Sequence, residues 1–91
     1  MTQERPQIGN RIVAKVLSVR GQCYWGHYPG QEIEVSCHNT GGMCGFLYHD
    51  IFPTISMLQF GGAYPWGEPD VVEVECPDRQ NVVKVQLRRV K

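Results

Sequence analysis

Ninety-one residues, of which 42% are hydrophobic, 20% charged and 10% aromatic, describe one small globular domain. A chain this short buries only about 60% of the surface it exposes when unfolded, so its core is thin. Nine basic and nine acidic side chains cancel to zero net charge. That balance argues against a chain built to coat nucleic acid or an anionic membrane, since both need a basic excess.

The first six residues carry no apolar run, so no targeting segment is expected there. Residues 11–20 read as a strand rich in valine (Val13, Val16, Val19), ended by Gly21. Residues 22–30 form a glycine-punctuated loop carrying Cys23 and His27, four positions apart. Glycine lets such a loop turn sharply enough for both side chains to face one point. Residues 31–37 alternate, with Ile33, Val35 and Cys37 on one face and Glu32, Glu34 and Ser36 on the other.

Residues 44–60 are helical in tendency, because Leu47, Ile51, Ile55 and Leu58 recur at helical spacing. Pro53 argues against one unbroken helix, so Asp50 is expected to cap a shorter one with Pro53 in its first turn and Gly61-Gly62 as its stop. A loop over 62–69 then carries Tyr64 and Trp66. The longest uncharged stretch, 51–67, is too broken by proline and glycine to span a membrane, and a cytoplasmic protein is expected. Residues 70–76 alternate again, with Val72, Val74 and Cys76 inward, and 81–90 put Val83, Val85 and Leu87 inward. Pro77-Asp78-Arg79-Gln80 has turn chemistry, and a four-residue loop there sets Glu73 opposite Lys84. The expected fold is α+β: a small antiparallel sheet of about four strands with one short helix packed on it.

Charge divides the chain into sections of +3 (residues 1–20), −8 (21–78) and +5 (79–91). The centre has no lysine or arginine, yet it holds every cysteine, histidine and aromatic residue. Basic terminal strands beside acidic central ones explain the division, since opposite charges across a ladder contribute roughly 0.2–1 kcal/mol each. A centre without cations is a poor phosphate cradle, and neither phosphate-loop nor dinucleotide fingerprint is present.

The four cysteines, Cys23, Cys37, Cys44 and Cys76, make no C-x-x-C pair, which disfavours a thioredoxin-like dithiol. In a reducing compartment such thiols are core filler, metal ligands or redox groups. Each stands at a junction between loop and regular element, and soft thiolates with an imidazole suit zinc or an iron–sulfur centre. Negative surroundings attract a cation and raise thiol pKa values, which favours metal over thiol catalysis.

The order Arg20-Gly21-x-Cys23-x-x-Gly26-His27-x-x-Gly30, Gly42-x-Cys44, Gly61-Gly62-x-x-Pro65-Trp66 and Cys76-Pro77-Asp78 resembles a family of small, functionally uncharacterised proteins common in anaerobic bacteria and archaea. The resemblance spans nearly the whole chain after the first ten residues. Gln31 and Gly45 depart from it, standing where that family often has an acidic residue and a proline. It implies a site built on Cys23, Cys44 and Cys76 plus His27, with Cys37 competing for the fourth place.

The leading expectation is therefore an iron–sulfur or zinc centre in a protein serving anaerobic redox metabolism. Trp25 and Trp66 would shield it from water, and an iron version would pass electrons to a redox partner. Two rivals stand beside it. One is a metal-free module whose aromatic loops (Tyr24, Trp25, Tyr28, Tyr64, Trp66) line a pocket for a small molecule or protein. The other is thiol chemistry by Cys23 with His27. Edge strands would serve a homo-oligomer.

Overall fold

The computed structural model describes residues 8–90, and the expectation about the first six residues lies outside them. Strands β1 (Arg11–Val19) and β2 (Glu32–Val35), helix α1 (Gly45–Gln59), and strands β3 (Val71–Glu75) and β4 (Val83–Val90) follow in chain order. The strands form one antiparallel sheet in the order β2-β1-β4-β3, with α1 packed on one face. This is the small α+β fold that the alternation of apolar and polar residues implies. No helix among the described residues is long and apolar enough to cross a membrane.

Alternation decides which face is covered. Ile12, Ala14 and Val16 of β1, Ile33 and Val35 of β2, and Val83, Val85 and Leu87 of β4 are buried under Leu47, Ile51, Ile55 and Leu58 of α1. The opposite face carries charge in cross-strand register. Arg11 grips the Glu34 carboxylate with two bonds (2.7 and 3.1 Å), Lys15 stands opposite Glu32, and Glu75 opposite Lys84. The basic first and last strands thus form the inner pair of the sheet, each beside an acidic edge strand, as the sectional charge requires. β1 takes one extra residue between Val16 and Ser18, a bulge that leaves Leu17 without a partner in β4.

Two local expectations are corrected. The helix does not begin at an Asp50 cap; it begins after Cys44 and runs through Pro53. Pro53 lies on the exposed face, so the carbonyl of His49 that loses its partner is free to meet water. Burying four aliphatic side chains contributes roughly 1.5–3 kcal/mol each, which outweighs the ~3 kcal/mol of an internal proline. The stop at Gly61-Gly62 is as expected. Gly61 has φ +89°, its amide meets the Leu58 carbonyl, and the Gly62 amide donates to Met57 at 2.7 Å, a Schellman closure.

The β3–β4 register also differs, by two residues. Glu75 rather than Glu73 faces Lys84, and Glu73 faces Gln86 while its carboxylate stays 4.0 Å from Lys84 Nζ. The connection is longer than four residues because Asp78 closes its own turn, its Oδ1 accepting the amides of Gln80 (3.0 Å) and Asn81 (3.2 Å). Residues of the β1 exit then hold that loop down: the Arg20 amide donates to Val82 (2.7 Å) and the Gln22 amide to Asn81 Oδ1 (2.9 Å). A shift by an even number preserves side-chain parity, so Val72, Val74 and Cys76 keep their inward side.

Candidate thiol site

Cys23, Cys44 and Cys76 come from three separate connections that the backbone ties together. The Cys23 loop leaves β1 and is fastened to the β3–β4 connection through Arg20 and Gln22. It is fastened to the helix entry by Trp25, whose Nε1–H donates to the Gly42 carbonyl at 3.0 Å, and by His27, whose Nε2 accepts the Cys44 amide at 3.2 Å. Cys76 directly follows β3, with its amide on the Val83 carbonyl at 2.9 Å. All three thiols are half-buried against the core edge.

The environment of Cys76 disfavours its thiolate. Burial pushes the Cys76 thiol above its ordinary range, a backbone bond at Asp78 opposes this, and negative charge on Cys44, Asp78 and Cys23 raises it further. Cys76 is thus the thiol on which charge at Cys44, Asp78 and Cys23 acts. The three thiols are not drawn into a ready ligand cage: among the described residues, no group of three or more His, Cys, Asp or Glu side chains stands close enough to hold a metal ion.

His27 is buried and both its ring nitrogens are engaged. Because Nε2 accepts a backbone N–H it carries no proton, so Nδ1 carries it and donates to Gln31 Oε1 at 2.9 Å. In this arrangement His27 has no nitrogen left for Cys23. Cys37 is elsewhere. Its amide donates to Gln59 Oε1 at 2.8 Å, at the C-terminal end of α1, and the 15-residue helix spans about 22 Å. Its charge acts on Tyr48 instead, whose hydroxyl burial pushes upward first.

Trp25 and Trp66 are 60% and 69% exposed. Trp25 adjoins the helix entry through Gly42, whereas Trp66 stacks on Tyr64 with ring centroids 4.9 Å apart. The loop bearing that pair is anchored at the other end of α1, where Arg89 bonds the carbonyls of Gly62 and Pro69. The two tryptophans therefore belong to loops anchored at opposite ends of the helix.

Three features escaped the sequence reading. Gln31 is the partner that takes the His27 Nδ1–H, and its position four residues after the histidine is a signal available in hindsight. Arg89 sits at an inward strand position and is buried, a departure from alternation that marks a polar anchor. Eight of the nine aromatic residues are exposed, and no Phe, Tyr or Trp is among the buried core residues. Their concentration in glycine-rich loops and at Phe46, Phe52 and Phe60 was the hint. Compared with known protein families, curated proteins and solved structures, the chain matches none.

Proposed function

We propose that this protein binds a soft metal ion, zinc or the iron of an iron–sulfur centre, through Cys23, Cys44 and Cys76. The observation that carries the reading is the tying of three cysteine-bearing connections to one another at one end of the sheet. Negative charge at Cys44 and Cys23 disfavours a thiolate at Cys76, and a thiophilic cation would relieve that. Metal binding on this reading draws the loop-borne thiols inward. A cytoplasmic setting, the resemblance to the anaerobe family and a redox partner belong to the same proposal. All four thiols being unpaired accords with a reducing compartment.

The test is metal and acid-labile sulfide analysis, with a visible spectrum, of protein purified without oxygen. Iron with sulfide, or zinc near one per chain, is the expected result. Cys23→Ser, Cys44→Ser and Cys76→Ser should each lower it, and Cys37→Ser should not. Folded, colourless protein that refuses both metals overturns the reading.

A second reading is favoured by the exposed rings. Tyr24, Trp25 and Tyr28 on one loop and Tyr64 with Trp66 on another present apolar area that binding surfaces use. Metal-free folded protein would leave this module reading in place.

A further inference from the structure

Helix α1 is apolar on both sides, and the sheet covers only one of them. Leu47, Ile51, Ile55 and Leu58 face the core, while Phe46, Phe52 and Phe60 stand 60%, 38% and 58% exposed on the outer side. Asp50 is the one Asp, Glu, Lys or Arg between Gly45 and Phe60. A surface helix normally turns charge outward, and one that is apolar all round is covered on both sides. We infer that the outer face of α1 is the contact of a symmetric homodimer, in which two copies of the helix pack antiparallel across Pro53.

The spacing is self-complementary. Phe46 and Phe60 lie seven positions before and after the exposed Pro53, and seven residues make nearly two helical turns, so the three share one stripe. Phe60, just past the helix, keeps its place on that stripe because its amide donates to the Ser56 carbonyl at 3.2 Å. A two-fold axis at Pro53 sets each Phe46 against the partner's Phe60, the reciprocal pattern of an isologous contact. The compact proline ring at the crossing point lets the axes approach to about 8–10 Å. The two Asp50 positions are then offset by about 9 Å along the axis and do not oppose each other.

Area supports the same occupant. Trp25 adjoins the helix entry and the Tyr64–Trp66 stack rides a loop anchored at the helix exit, so antiparallel pairing brings one copy's Trp25 loop toward its partner's stack. At roughly 200 Å² per ring, the exposed parts of these six side chains amount to roughly 600 Å². A stable interface takes about 800 Å² from each partner, the remainder being polar rim. The sheet edges suit a second copy less well. β2 carries Glu32 and Glu34, and β3 carries Glu73 and Glu75, so pairing like edges sets carboxylates side by side.

The test is sedimentation of the intact chain at micromolar concentration, with reductant present so that no disulfide joins two copies. Twice the mass of one chain is expected. Phe46→Asp and Phe60→Lys should each give monomers with the wild-type circular dichroism spectrum. Mixed together, the two variants should re-form a dimer, because the acidic replacement meets the basic one while one Phe46–Phe60 contact survives. Glu73→Lys at the β3 edge should leave the dimer intact. Wild type that stays monomeric overturns the inference, including where it sediments with phosphatidylcholine vesicles, the mark of a lipid-facing helix. A dimer kept in Phe46→Asp and lost in Glu73→Lys also overturns it, in favour of edge pairing. Should a variant not fold, NMR on mixed labelled and unlabelled wild type decides. Cross-peaks between Phe46 and the partner's Phe60 are expected there, and a dimer without them overturns the inference. Metal content does not enter these readouts, so their outcome is separate from that of the thiol reading.

Discussion

His27 accepts the backbone amide of Cys44 through Nε2 at 3.2 Å, across seventeen positions of sequence. This bond joins the loop after β1 to the entry of α1, and it leaves the ring's one proton on Nδ1 for Gln31. The residue that most resembles a ligand or a base in the sequence thus serves as a joint between two cysteine-bearing segments.

Arg89 is the main polar anchor at the other end of the molecule. Its guanidinium reaches Asp70 (2.9 Å) and the carbonyls of Leu58 (3.0 Å), Gly62 (2.9 Å) and Pro69 (2.7 Å). Arg89→Ala should lower unfolding free energy by about 3 kcal/mol, because buried acceptors lose their donors. Arg89→Lys should recover little, since one ammonium cannot reproduce the planar fork. Urea unfolding checks both; a lysine variant as stable as wild type would show that charge alone is what the site needs.

Gln59 is 1% exposed and joins the chain before β1 to the turn after β2, donating to Ile8 (2.8 Å) and accepting from Cys37 (2.8 Å). Gln59→Leu keeps the volume and removes both bonds, and should destabilise by about 2 kcal/mol. Hydrogen exchange should show faster amide exchange at Cys37 first. Unchanged protection there would mean that another acceptor replaces the side chain.

Pro53 interrupts the hydrogen bonding of α1 on its exposed face. Pro53→Ala restores an amide for the His49 carbonyl and should raise stability by roughly 1–2 kcal/mol, the bond regained being partly offset by a freer unfolded chain. Thermal unfolding of the two proteins measures it. A lower midpoint for the alanine variant would indicate that the proline ring itself packs usefully.

The Cys76 thiol, raised above its ordinary 9.0 by burial first and by neighbouring charge second, has a defined effect on stability. Below that value both folded and unfolded chains hold the proton, and stability does not depend on it. Above it the unfolded chain releases the proton first, so this contribution falls as pH rises toward the folded value. The difference in unfolding free energy between wild type and Cys76→Ala should be flat from pH 7 to about 8.5 and shrink at higher pH. A difference that stays flat to pH 10.5 would contradict the shift. Metal uptake should strengthen over the same rise, because binding requires the thiolate.

The elements were largely legible because alternation and helical spacing are local signals. Ile33 and Val35, Val83, Val85 and Leu87, and the run Leu47, Ile51, Ile55, Leu58 face the core as their spacing requires. The errors arose where a local rule met a tertiary force. Proline chemistry argued for a late helix start, and burial of Leu47 on the sheet extended the helix past it. Turn composition suggested a four-residue hairpin, and the ties from Arg20 and Gln22 to Asn81 and Val82 support a longer one.

What the sequence by itself determined is therefore the inventory and its sidedness. Parity put Cys76 on the inner side, and separated charges put basic strands against acidic ones, since both follow from the two-residue period of a strand. Which cysteine-bearing loops are tied together is another matter. Cys37 and Cys44 are near in sequence, yet the length of α1 lies between Cys44 and the glutamine that holds Cys37. Cys23 and Cys76 are far apart in sequence, and the antiparallel pairing of β1 with β4 carries their connections to one end. Partnership among side chains is set by how strands pair and where a helix ends, and those are properties of the folded chain.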